Sequence, residues 1–233
     1  MHEGLQRTQS AEESALFSHR LSRALGEPGC PICRLVRESE ERWIWTLLYE
    51  FTGDPEIHAL FARSLGLCAP HADLMRKVVE GRRLMTPSGV ARLYETAVKA
   101  LGRELQQGLL RGNAKKTECP LCTYAKGTAE RQAYFLARLL STREWQKEYK
   151  ASDGLCWPHV RQVLAQAPRE VQEWLTQDLA GRLERLHRNL SELQRKQRYD
   201  VPEPVTPEEA DSWREALWRL GGMTFEGLLV EDD

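Results

Sequence analysis

Apolar residues recur at three- and four-residue spacing through nearly every stretch of the chain outside a few polar joints, which is the period of a helix with one buried face. Between residues 34 and 51, Leu35, Val36, Ile44, Leu47, Leu48 and Phe51 fall close to one stripe. After Pro87 the series Val90, Leu93, Tyr94, Ala97, Leu101, Leu105 and Leu109 keeps that spacing over about five turns. Its counterpart after Pro168 runs Val171, Leu175, Leu179, Leu183, Leu186, Leu190 and Leu193. Both prolines stand where a first helical turn accepts one. Alternating β-branched runs and Asn-Gly hairpin turns are missing, so the pattern predicts an all-α fold.

Two flanks carry their own pattern. Residues 10 to 25, with Ser10 as a possible N-cap and Leu16, Phe17, Leu21 and Leu25 on one face, read as an amphipathic helix. After residue 200, Val-Pro-Glu-Pro-Val-Thr-Pro is a stiff spacer. A short helix from about Glu208 to Leu220 follows, bearing Trp213, Leu217 and Trp218, and Gly221-Gly222 ends it. An apolar then acidic tail closes the chain, and docking against the body is its commoner fate.

Over this helical background lies a motif that occurs twice and uses all six cysteines. The first copy is Cys30-Pro-Ile-Cys33 followed by Gly66-Leu-Cys68-Ala-Pro-His71; the second is Cys119-Pro-Leu-Cys122 followed by Gly154-Leu-Cys156-Trp-Pro-His159. The spacing divides the chain into an N-terminal helix (1–27) packed on the first repeat, repeat 1 (28–111), repeat 2 (117–200) and a C-terminal segment (201–233). Arg111 to Thr117 is the polar joint between the repeats. The expected architecture is two tandem helical repeats related by a pseudo-two-fold, each with a Cys3His metal site.

Three thiols and an imidazole complete the ligand set of a tetrahedral ion, and zinc is the usual occupant of such a closed site. The candidate ligands are Cys30, Cys33, Cys68, His71, Cys119, Cys122, Cys156 and His159. Backbone N–H groups at a helix start favour a thiolate, so the second Cys of Cys-Pro-x-Cys is expected to open a helix near residue 33 or 122. The pairing of half-motifs stays open: Cys30/Cys33 could join Cys156/His159 across the repeats, although the within-repeat loop is shorter and closes at less entropic cost. A thioredoxin-like reading of Cys-Pro-x-Cys lacks the strand that should precede it, and structural disulfides need no histidine. An iron–sulfur cluster is the competitor to two zinc ions per chain.

Composition changes this picture little. A net charge of −1 with 29% charged residues gives no general pull toward nucleic acid or membrane, and no apolar run is long enough to span a bilayer. The first residues lack a secretory pattern, so a cytoplasmic protein with reduced thiols is expected. His2, His19, His58 and His187 stand alone and read as solvated or hydrogen-bonded; Trp43, Trp45 and Trp174 read as core. Arg182, Arg185, Arg188, Arg195, Lys196 and Arg198 could form a nucleic-acid stripe, but arginines beside a leucine seam are usually a solvated face. No phosphate loop, nucleophile elbow or His-Glu-x-x-His helix occurs, and a closed Cys3His site has no open position, so catalysis is not expected. The resulting expectation is a non-catalytic zinc protein that works as an interaction or adaptor module with a protein partner. The alternatives are a redox- or metal-responsive regulator and, behind it, a nucleic-acid-binding protein.

On these residues the chain resembles a bacterial family of helical proteins, a domain of unknown function, whose members carry paired Cys-Pro-x-Cys and Gly-Leu-Cys-x-Pro-His motifs. The resemblance spans most of residues 28 to 200 and implies the helical fold and duplicated motif, but no activity.

Overall fold

The computed structural model describes residues 17–82, 86–107 and 117–230. Expectations for His2, Ser10, Leu16, Leu109 and the joint at 111–116 lie outside the described residues. The described chain is helical, with no strand. Its elements are α1 (17–25), α2 (Pro31–Glu50), α3 (Pro55–Ser64), α4 (Ala69–Gly81), α5 (Pro87–Gln106), α6 (Pro120–Leu139), α7 (Arg143–Ala151), α8 (Trp157–Gln166), α9 (Arg169–Lys196) and α10 (Pro207–Gly221). None of the described helices is long and apolar enough to cross a membrane.

Local chemistry accounts for the helix ends. Asp54 caps α3 by accepting from the N–H groups of Glu56 at 2.7 Å and Ile57 at 3.4 Å, and Pro55 follows at the position that needs no N–H partner. α10 opens with a full capping box: Thr206 accepts from Glu209 N–H, and the Glu209 carboxylate accepts from Thr206 N–H at 2.9 Å. Gly222, at φ 96°, ends it. α9 begins one residue later than the proline rule suggests, with Pro168 as the N-cap.

The chain forms two compact units, and their boundaries differ from the sequence repeats. One comprises the described part of Met1–Leu35 with Ala129–Thr224; the other comprises Val36–Thr128 with the described part of Phe225–Asp233. Each unit therefore draws chain from both copies of the motif. In the first, α10 packs on α8 and α9. The buried residues there include Leu21, Leu25, Ile32, Leu136, Leu140, Tyr149, Val160, Val163, Val171 and Leu175. The N-terminal helix α1 contacts residues of the second copy: Phe17 stacks on Phe135 at 4.1 Å, and the Ser22 hydroxyl donates to Glu148. In the second unit α3 packs on α5, and Ile44, Leu47, Leu48, Phe61, Leu74, Met75, Val78, Leu93 and Leu121 form the core.

Three departures from the predicted stripes have simple causes. Phe51 is exposed because α2 stops at Glu50 and the Thr52-Gly53 turn carries the chain away. Leu101 and Leu105 are exposed because α5 has twice the length of α3, so that partner can cover only part of it. Leu183 is exposed beside a buried Arg182, so the seam of α9 gives way to a polar contact there.

The described part of the tail, up to Val230, docks on its own unit, the commoner of the two fates expected for it. Leu228 packs against the core of the second unit. The fully buried Glu41 carboxylate accepts from the N–H groups of Leu229 and Val230, and Arg82 donates to the Val230 carbonyl at 2.8 Å.

Candidate metal centres

All eight sequence-predicted ligands come together, in two groups of four. Cys30, Cys33, Cys156 and His159 form one; Cys68, His71, Cys119 and Cys122 form the other; within each, all ligand atoms lie within 4.8 Å of one another. This corrects the expectation of one complete site inside each repeat. Each group takes a Cys-Pro-x-Cys pair from one copy and a Cys-x-Pro-His pair from the other. Closing the chain across 123 residues, from Cys33 to Cys156, rather than about 35 costs only about 1 kcal/mol more. That difference is too small to dictate pairing against the packing of whole helices.

The four half-motifs share one local form. In every case the first Cys is the N-cap, since its carbonyl accepts the first helical hydrogen bond. Those bonds come from Arg34 to Cys30, Ala72 to Cys68, Thr123 to Cys119 and Val160 to Cys156. The second ligand then falls three residues on, at the third helical position, on the same face. The helices therefore begin at Pro31 and Pro120, two residues earlier than expected, because proline is best tolerated at the first position. Cys68 and Cys156 make no capping hydrogen bond with their side chains, so both thiols face the group.

In the Cys30 group, His159 Nδ1 lies 3.4 Å from Cys30 Sγ, 3.4 Å from Cys33 Sγ and 3.1 Å from Cys156 Sγ; Cys33 and Cys156 are 3.7 Å apart. In the Cys68 group, His71 Nδ1 lies 3.2 Å from Cys68, 3.4 Å from Cys119 and 3.4 Å from Cys122, with Cys68 and Cys122 3.6 Å apart. All six thiols are free of disulfides. Burial separates the two groups: Cys30 is 1% exposed, Cys33 9% and Cys156 0%, whereas all four members of the Cys68 group are partly exposed.

In each group the histidine and the thiols shift one another's protonation. Burial pushes both histidines down, yet both end near 9. Glu40 and Cys119 raise His71, and Cys156 and Cys30 raise His159. Burial also opposes ionisation of Cys119, but N–H groups of Cys68, Cys122 and Leu121, with His71, bring it to about 7. Its partner Cys122 is pushed up to about 12 by burial and by the neighbouring thiols Cys68 and Cys119. In the other group burial again works against ionisation, but hydrogen bonds to Cys156, Cys33 and His159 hold Cys30 well below the usual thiol range. Cys33 is raised by Cys156 first and then by Cys30.

Several supporting residues carried no motif. Glu40 Oε1 lies 3.1 Å from His71 Nε2, which fixes the ring with Nδ1 toward the thiols, the usual arrangement of a ligating histidine. The Gly-Leu-Cys turns need their glycines: Gly66 has φ 85° and Gly154 φ 79°, and a Cβ on Gly66 would lie 2.7 Å from the Tyr94 ring. Tyrosine hydroxyls hold both turns. Leu67 N–H donates to Tyr94 Oη at 3.3 Å, and Leu155 N–H donates to Tyr149 Oη at 3.2 Å. Arg182 braces the Cys156 turn through Asp178 at 2.6 Å and the carbonyls of Ser152 at 2.8 Å and Tyr149 at 3.1 Å.

The remaining candidates are accounted for within the fold. His58 bonds Thr96 at 2.7 Å and the Thr52 carbonyl at 3.0 Å; His19 and His187 are exposed. Trp43 packs against the second unit's core, Trp45 stacks on Tyr49, and Trp174 meets Tyr149 edge-on. Of the six cations on or beside α9, Arg182, Arg195, Lys196 and Arg198 pair with acids of the same unit, leaving Arg185 and Arg188 exposed. No protein-family model, curated protein or solved structure matches the chain.

Proposed function

We propose that the chain is a non-catalytic protein that holds two zinc ions, one in each Cys3His group, and serves as an interaction or adaptor module. The observation that carries the zinc reading is the size of the two groups. Zinc bond lengths give tetrahedron edges of about 3.8 Å between sulfurs and about 3.6 Å between sulfur and nitrogen. In each group one sulfur pair lies at 3.6–3.7 Å, the sulfur–nitrogen distances are 3.1–3.4 Å, and all four ligand atoms fall within 4.8 Å of one another. An iron–sulfur cluster spreads its four ligands over two or more irons and needs a wider set.

Three thiolates and one zinc ion leave a single negative charge, and two helix N-termini of about half a positive charge each face it. With four protein ligands the ion has no open position for water or substrate, so its contribution is to folding. A compartment that keeps thiols reduced, as the cytoplasm does, suits such a site. The adaptor reading draws on α10, whose buried side is polar (Glu209, Ser212, Arg219) while Trp213, Leu217 and Leu220 face outward. The partial exposure of the Cys68 group favours a second reading, in which that site releases its metal in response to oxidant or chelator.

Elemental analysis and an absorption spectrum of anaerobically purified protein test the proposal. Two zinc ions per chain and no visible colour are expected. Iron with sulfide, or a chain that takes up no metal, overturns it.

A further inference from the structure

The segment that ends α10 is built against one of the two Cys/His groups. Met223 N–H donates to Cys33 Sγ at 3.4 Å, and Cys30 N–H points to Met223 Sδ at 2.9 Å, so one residue touches both members of the Cys-Pro-x-Cys pair. The thioether fills the space in front of Gly29, where a Cβ would sit 2.1 Å from Sδ. One turn back, Arg219 is 3% exposed and donates to the Asp153 carbonyl at 3.0 Å and the Leu155 carbonyl at 3.4 Å, the turn that delivers Cys156. Glu215 neutralises it at 2.6 Å. The Asp153 carboxylate completes the lattice by accepting from Gly29 N–H at 2.7 Å. The α10 segment thus grips both ligand-bearing turns of the Cys30 group.

Resting on the zinc reading above, we propose that residues 207–224 act as a lock on the Cys30 group. Zinc in that group and the docking of α10 stabilise each other, so this ion is retained while the ion in the Cys68 group exchanges. The reasoning is linkage: a segment that binds the metal-loaded turns more tightly than the metal-free ones must raise metal affinity by the same factor as the metal raises docking. The Met223 N–H donor on Cys33 Sγ and the Met223 thioether that accepts from Cys30 N–H are outer-shell partners, of the kind whose loss costs a metal site 10- to 100-fold. The lock also sets when the spacer can swing α10 and its outward Trp213, Leu217 and Leu220 away from the unit.

The test is zinc release from the two-zinc, full-length protein to excess chromophoric chelator. Two phases of one ion each are expected, separated by at least tenfold, with the fast phase missing in Cys119→Ser. Met223→Ala should accelerate the slow phase about 10- to 100-fold and leave the fast phase unchanged, and Arg219→Met should act in the same direction. In the wild-type chain, removing the slow ion should also expose the α10 amides to hydrogen exchange, whereas removing only the fast ion should not. Equal release rates, a slow phase indifferent to both substitutions, or α10 protection that survives loss of both ions overturns the lock. A chain that binds no zinc at all instead overturns the reading it rests on.

Discussion

Glu40 and Arg182 each brace one of the Cys/His groups. Glu40 orients His71 and supplies a carboxylate behind it. Glu40→Ala should weaken zinc at the Cys68 group about 10- to 100-fold and leave the other ion untouched, as read by chelator competition. Arg182 bridges Asp178 to three backbone carbonyls in a buried setting. Its replacement by Ala strands the carboxylate and should lower unfolding free energy by about 3 kcal/mol, measured by denaturant titration. The pH behaviour follows from the histidines. Both are raised to about 9 without metal, so below pH 9 the ion must displace a proton from each. In the metal-free fold the raised histidine contributes stability that is complete below its unfolded value near 6.5 and is lost as pH climbs through 9. The lowered Cys119 runs the other way: its contribution is complete above 9 and is lost as pH falls through 7. The two therefore largely cancel in the stripped protein between pH 7 and 9. The loaded protein should lose about a hundredfold in zinc affinity at each site for every pH unit from 9 down to 7, once the chelator's own protonation is corrected, because the histidine and the raised thiol (Cys122 in one group, Cys33 in the other) must each give up a proton. None of Glu40, Tyr94, Tyr149, Arg182 or Met223 could be read from a motif. The stretch around Glu40 did leave a trace: the apolar stripe of α2 skips from Val36 to Ile44, and there Glu38, Ser39 and Glu41 are buried while Glu40 is partly exposed.

At the scale of elements, the helices were legible because their period is local, and the half-motifs because Cys, Pro and His sit within four residues of one another. A proline in the first turn, a cysteine at the cap and a ligand at the third helical position form one unit of design used four times. What no local pattern holds is where a neighbour runs out, which is why the exposed Leu101, Leu105 and Phe51 read as core. The two tyrosines that hold the Gly-Leu-Cys turns were hidden for a related reason. Tyr94 follows its turn on α5, whereas Tyr149 precedes its turn on α7, so the duplication gives no shared position to find them by.

At the scale of the whole molecule, the sequence offered eight ligands without saying which halves meet, because the loop terms differ by only about 1 kcal/mol. Paired substitutions separate the alternatives. Cys30→Ser with Cys156→Ser should cost one zinc ion, and Cys30→Ser with Cys68→Ser should cost both; one complete site per copy predicts the reverse, and metal content of the purified variants decides. The grouping also fixes an order of events during synthesis. The ligands 68, 71, 119 and 122 all lie between Cys33 and Cys156, so the inner set is complete on the emerging chain before the outer one. Earlier still, Cys30, Cys33, Cys68 and His71 have all left the ribosome while Cys119 has not yet been made. On the zinc reading proposed above, the nascent chain passes through a stage at which the only four candidate ligands present belong to different groups, and an ion captured then must be handed over before the protein is finished.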